Sequence, residues 1–166
     1  VAAAVWYPYR ASPPKAVARW SRATFDALLP LADDAATGVV MREGVELFRT
    51  PTPAPAWSIG LAGFRAAPNE APPGYADAHF MRVPVVEMPI HLAWLQARIT
   101  SMGGAIESGT VTSLDDVLPS ADAVVNCTGL GARSLMDDAD VHPVRGHVVR
   151  VRKPGIDRFI LDEGHP

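Results

Sequence analysis

Proline constrains this chain more than any other feature. There are 16 prolines in 166 residues, about twice the usual share of roughly 5%. Each fixes φ, removes a backbone donor and disfavours a helical residue before it. The pattern predicts many ordered turns and short elements rather than long helices. Hydrophobic residues make up 48% and charged residues 20%, a balance that excludes a wholly disordered chain. The length suits one domain or two small ones. No stretch approaches the roughly 18 apolar residues of a membrane span. The formal charge of −3 argues against a basic nucleic-acid or anionic-membrane binder. Cys127 is the only cysteine, so an internal disulfide and a Cys-based zinc site are excluded. The start at Val1 without Met, and a last stretch Asp162-Glu163-Gly164-His165-Pro166 that reads as the entry to a turn, lead us to expect an internal piece of a longer chain.

Along the chain, residues 1–9 are a small apolar stretch that reads as a strand. Ser12-Pro13-Pro14 predicts a helix start with Ser12 as N-cap. Val17, Trp20, Thr24, Phe25, Leu28 and Leu29 then predict an amphipathic helix over 14–29 with Trp20 and Phe25 in the core. Two short strands, 39–41 and 45–48, are expected around a Glu43-Gly44 hairpin turn. Residues 79–87 read as a strand made irregular by Pro84. Pro89 opens a helix with Ile90, Leu92, Leu95, Ile99 and Met102 on its apolar face, ended by Gly103-Gly104. Residues 105–113 read as a strand, and Ala123-Val124-Val125 as a buried strand of the parallel-sheet kind. A short helix over 131–136 and strands at 147–152 and 159–161 complete the pattern, the last two as a hairpin over 145–161. The fold class is mixed α/β, with α/β layering beside a mostly antiparallel layer.

Chemistry could sit at Asn126-Cys127-Thr128-Gly129-Leu130-Gly131, just beyond an apolar strand, where open α/β sheets bind ligands. Thr and two glycines there let backbone approach a cofactor; a tight strand-to-helix turn explains the same residues. Cys127 follows an apolar strand and reads as a buried, inert thiol. His79, His91, His142, His147 and His165 show no metal-ligand spacing, so surface or supporting roles and no metal site are expected. The pairs Asp33-Asp34, Asp115-Asp116 and Asp137-Asp138 read as solvated loop charges. Arg145, opening a strand after Pro143-Val144, suits either a carboxylate partner or a structural ion pair.

Several blocks in order resemble the D-amino-acid oxidase family. They are Val1-Ala2-Ala3-Ala4-Val5-Trp6-Tyr7-Pro8-Tyr9, then Trp20 with Thr24-Phe25, and Leu61-Ala62-Gly63-Phe64-Arg65 read as a strand. Trp94-Leu95, Val125 to Ala132, Pro143-Val144-Arg145-Gly146 and Phe159-Ile160-Leu161 follow. The resemblance covers nearly the whole chain. It implies an FAD-dependent oxidase whose Rossmann-like FAD domain is interleaved with an antiparallel-sheet substrate domain. Residues 1–8 and 89–134 would belong to the FAD part, and 9–88 and 135–166 to the substrate part. The implied reaction moves the substrate α-hydrogen as hydride to the flavin. Hydrolysis then yields a 2-oxo acid and ammonia, and dioxygen becomes hydrogen peroxide.

By matching position, Ala3, Ala4 and Val5 would line the flavin ring away from substrate. Val111 would meet the adenosine portion through its backbone, and Thr128 and Gly129 would lie near the pyrophosphate and ribose. Ala4 stands where the family commonly has glycine, Tyr7 where it has glutamine, and His147 where glutamine usually follows Arg-Gly. The glycine-rich opening strand and the substrate-binding tyrosine and arginine of the family are not in this sequence. No residue is therefore assigned as catalytic, and the 166 residues alone are expected to be inactive and to hold FAD poorly. The implied partners are a small D-amino acid and dioxygen, with a homodimer as in many relatives. Scarce lysine beside abundant Arg and Ala suggests a bacterial, cytoplasmic protein. Alternatives are a D-aspartate oxidase, a glycine- or sarcosine-type oxidase, and a non-catalytic binding or assembly module.

Overall fold

The computed structural model describes residues 4–8, 11–143, 146–149, 152, 155 and 157–162. In chain order these form strand β1 (Ala4–Val5), helix α1 (Pro14–Leu28), strands β2 (Val39–Phe48), β3 (Arg65–Ala66) and β4 (Asp77–Val86), helices α2 (Met88–Ser101) and α3 (Gly131–Leu135), and strand β5 (Phe159–Asp162). The architecture is mixed α/β, as expected. The chain divides into two units, Val1–Gly104 with Val151–Pro166, and Ala105–Arg150. Among the described residues no helix is long and apolar enough to cross a membrane.

In the first unit β2 and β4 pair antiparallel along their full lengths, from Val39 opposite Val86 to Phe48 opposite Asp77. Their β-branched residues suit a pleated, half-buried surface. This overturns the hairpin expected at Glu43-Gly44. Glu43 lies opposite Arg82, a favourable cross-strand charge pairing, and Gly44 lies opposite Met81. Gly44 is there for close approach, because a Cβ would overlap the Phe159 ring. β5 pairs parallel with β2, Gly44 opposite Phe159 through Leu47 opposite Asp162. β1 and β3 pair antiparallel with the other edge of β4, at Val85–Val86 and at His79–Phe80.

Pro84 does not interrupt β4. Its carbonyl accepts the Trp6 N–H at 2.9 Å, so the N–H that proline lacks would have pointed to the same edge. The β1 ladder therefore stops at Trp6, and the β2 ladder is untouched.

Helix α1 has Pro13 at its N-cap and no side-chain cap, so Ser12 is not the cap. Its inward stripe is Val17, Ser21, Phe25 and Leu28. Trp20, about 100° round the helix from Ser21, is 55% exposed, which corrects its placement in the core. Phe25 is buried with Trp6, Leu61, Met81 and Val83. Rings meet edge to face from Phe25 to Trp6 (5.1 Å between centroids), Trp6 to Trp57 (5.7 Å), Tyr7 to Trp57 (5.5 Å) and Trp57 to Phe64 (5.8 Å). Each such pair adds about 0.5–1.5 kcal/mol beyond burial. Leu61 to Phe64 are tight turns rather than a strand, with the Phe64 N–H on the Leu61 carbonyl. Only Arg65–Ala66 join the sheet. Arg65 lies over the Phe80 ring, 4.0 Å from its centroid, and pairs with Glu70. That bond holds the Glu70 carboxyl below its usual range.

Helix α2 ends at Gly103-Gly104 as expected, with the Gly104 N–H on the Ile99 carbonyl at 2.9 Å. The predicted apolar face is largely uncovered, with Ile90, Leu92, Ile99 and Met102 exposed. The helix is anchored through His91, whose Nδ1–H donates to the Thr37 carbonyl at 2.7 Å.

In the second unit, the strands expected at 105–113 and 123–125 make no ladder among the described residues. A strand needs a partner for its backbone groups, and none is paired to them. The same holds for 147–149, while β5 pairs with β2; Arg145 and most of 150–156 in the hairpin expected over 145–161 lie outside the described residues. Asp116 closes a capping box with Ser113.

Two substitutions test this packing. Gly44→Ala is expected to cost about 1–3 kcal/mol by forcing Phe159 off its seat. Phe25→Ala is expected to cost about 3–5 kcal/mol. Urea midpoints measure both, and an unchanged midpoint for Gly44→Ala would refute the close approach.

Candidate functional site

The candidate residues fall in two places, one in each unit. In the first unit, Ala4 and Val5 form β1 at the edge of the sheet, Ala4 exposed and Val5 half-buried. Ala3 lies outside the described residues. The segment that follows is held at successive points. Trp6 donates its N–H to Pro84 and its indole Nε1–H to the Ser21 carbonyl at 2.9 Å. Tyr7 donates its hydroxyl to Glu46 Oε1 at 2.5 Å. Glu46 is only 2% exposed, and a carboxylate buried to that degree needs hydrogen-bond partners.

Glu46 was not legible in the sequence. Read as part of a short hairpin arm, it carried no inward-facing signal. The continuous strand puts Arg42, Gly44, Glu46 and Phe48 on one face, a pattern with no apolar alternation. His79, opposite Glu46 in register, is likewise fully buried rather than at the surface. Its Nε2–H donates to the Thr52 carbonyl at 3.1 Å, its Nδ1 has no hydrogen-bond partner, and its ring lies against Phe48 and Phe64.

In the second unit, Val124 and Val125 lead into a loop organised by Asn126. Its side-chain oxygen accepts the Thr128 N–H at 3.1 Å and the Thr128 hydroxyl at 2.8 Å. Gly129 follows at φ 59°, a left-handed conformation that glycine adopts without strain. The Gly131 N–H bonds to the Thr128 carbonyl and the Ala132 N–H to the Gly129 carbonyl, both at 3.1 Å, and these start α3. Among the described residues the N–H groups of Gly129 and Leu130 have no hydrogen-bond acceptor, and a Cβ on Gly129 would meet open space. The loop thus presents backbone donors beside a small, uncrowded surface, a donor set that suits phosphate or ribose oxygens. Arg133 ties α3 to the following segment, donating to the Val141 carbonyl at 2.9 Å.

Thr128 and Gly129 are brought together in this loop. Val111 lies in the same unit, outside any helix or strand and 42% exposed, with no hydrogen bond to them among the described residues. Cys127 is exposed, which corrects the buried thiol; the apolar strand expected to bury it is not paired. Arg145 lies outside the described residues. Among the described residues no His, Cys, Asp and Glu side chains cluster to hold a metal ion. Asp34 serves as a cap, its side chain accepting the Ala36 N–H, and Asp115 and Asp116 are exposed. Hydrogen bonding to Asp162 holds the Tyr75 hydroxyl above its usual value.

The family described as DAO, FAD dependent oxidoreductase, matches residues 1–165. The D-amino-acid oxidase of Rubrobacter xylanophilus is 46% identical over 168 residues, covering 100% of this chain and 52% of its own length. That of Streptomyces coelicolor is 38% identical, covering 97% of this chain and 50% of its own length. The D-aspartate oxidase of Homo sapiens is 36% identical, covering 87% and 45%. The chain spans about half the length of the curated relatives it matches.

The loop makes its own prediction. Gly129→Val places a β-branched residue at positive φ and is expected to cost roughly 1–2 kcal/mol locally. Hydrogen exchange over 126–135 would rise, and unchanged protection would show that the turn does not need this conformation.

Proposed function

Because the chain belongs to the DAO family of FAD dependent oxidoreductases, we propose that it serves, within a longer protein, the oxidation of D-amino acids by dioxygen. The products are a 2-oxo acid, ammonia and hydrogen peroxide. The observation that carries this reading is the match of the whole chain, at 46% identity, to about half of a D-amino-acid oxidase. FAD, when bound, supplies the two-electron oxidation of the substrate carbon.

The residues present fit that group in both places. Ala4 is exposed and Val5 half-buried, and the short side chain of Ala4 leaves a surface that a flat ring can approach closely. Trp6 pins this strand to β4 through Pro84 and to α1 through Ser21. We assign Ala3, together with these two, to the ring face away from substrate. Thr128 and the N–H groups of Gly129 and Leu130 would hold pyrophosphate and ribose oxygens, and the Val111 backbone the adenosine part. In this reading 1–8 and 89–134 serve the cofactor, and 9–88 and 135–166 the substrate. No residue of this chain is assigned to proton transfer.

The test is the full-length protein, purified and supplied with neutral D-amino acids or D-aspartate in air. Visible flavin bands and peroxide formation with neutral D-amino acids are expected. Oxidation of D-aspartate alone would move the assignment to the D-aspartate branch. Absence of flavin, or of peroxide with every D-amino acid, would overturn it.

A further inference from the structure

We infer that Glu46 is a positioning residue for the cofactor-facing strand, acting through the Tyr7 hydroxyl. The inference rests on the assignment of Ala4 and Val5 to the flavin ring. Backbone pairing of this segment to β4 ends at Trp6, because Pro84 has no N–H to return. Among the described residues no backbone ladder continues past that point. The next hold is Tyr7, whose hydroxyl donates to Glu46 at 2.5 Å while its ring packs edge to face on Trp57. Glu46 is itself rigidly placed. It lies inside a ladder paired on both sides, opposite His79 on β4 and Leu161 on β5, and is 2% exposed. The bond joins positions 39 residues apart and is charge-assisted, the stronger class of hydrogen bond. Glu46 therefore fixes where the chain goes as it leaves the ring-facing residues. The backbone of Ala4 and Val5 is held between the β4 ladder on one side and this side-chain tether on the other.

The test uses the full-length holoenzyme and two readouts that do not depend on turnover: the FAD dissociation constant from flavin fluorescence, and the position of the flavin visible band. Tyr7→Phe and Glu46→Leu are each expected to weaken FAD binding about tenfold, the size of one hydrogen bond to a charged group, and to shift the band. The Tyr7→Phe/Glu46→Leu double variant is expected to lose no more than either single variant, as for one shared interaction. Glu46→Gln keeps an acceptor oxygen and is expected to recover most of the affinity. Leu47→Ala is the control for stability. It is buried on the opposite face of β2, and is expected to lower Tm while leaving FAD affinity and the flavin band unchanged. Additive losses in the double variant would overturn the inference. So would affinity losses no larger than those of Leu47→Ala at equal loss of Tm. Wild-type protein that holds no flavin overturns both this inference and the oxidase reading. Flavin held equally by wild type, Tyr7→Phe and Glu46→Leu overturns this one alone.

Discussion

The ladder between β2 and β4 is the constraint on which the first unit depends. Neither strand could stand alone, since a lone two-stranded ribbon is marginal in water. Both edges of the pair are used, β1 and β3 on β4 and β5 on β2. One face receives α1 and the aromatic rings; Met81 and Val83 of β4 enter the core with Trp6 and Phe25. Glu46, His79 and the Tyr7 tether take their places from the same register. A slip of one residue would reverse all of these side chains to the other face. The positions of β1, of the aromatic column and of the buried carboxylate are therefore one property rather than three.

The sequence was most readable where local chemistry decides structure. Pro14 and Pro89 at helix starts and Gly103-Gly104 at a helix end act within a few residues. So do the Thr128-Gly129 turn and α3. It was least readable where a distant partner decides. Glu43-Gly44 has the composition of a turn, yet Gly44 is chosen by the ring of Phe159, far along the chain. Trp20 has the right spacing for a core residue, yet the inward stripe runs through Ser21, whose carbonyl accepts the Trp6 indole N–H. Cys127 was expected to be buried by a sheet its strand does not pair with. Glu46 gave no sign, since burial of a carboxylate is permitted only by partners that spacing does not reveal.

The two candidate regions differ in what they present. The first is a two-residue strand that exposes Ala4 and packs Val5 against the core. The second is a loop whose turn is set by its own internal bonding: Asn126 takes up the Thr128 donors, and among the described residues the next two N–H groups have no acceptor. In both, the surface offered is mainly backbone. That suits a protein whose part is to hold and orient a reactive group rather than to supply reacting side chains.

The parallel seating of β5 on β2 has a consequence during synthesis. The Arg42–Asp157 contact beside it spans 115 residues of sequence, and all of unit Ala105–Arg150 is made in between. At about 5–20 residues per second, one edge of β2 waits on the order of ten seconds for its neighbour. Through that interval the nascent chain carries an open strand edge, the kind of surface on which chains join one another. Glu43, the exposed carboxylate of that strand, places negative charge where a second copy would have to add. The strand that fixes the finished sheet thus also carries charge that discourages premature pairing between chains still on their ribosomes.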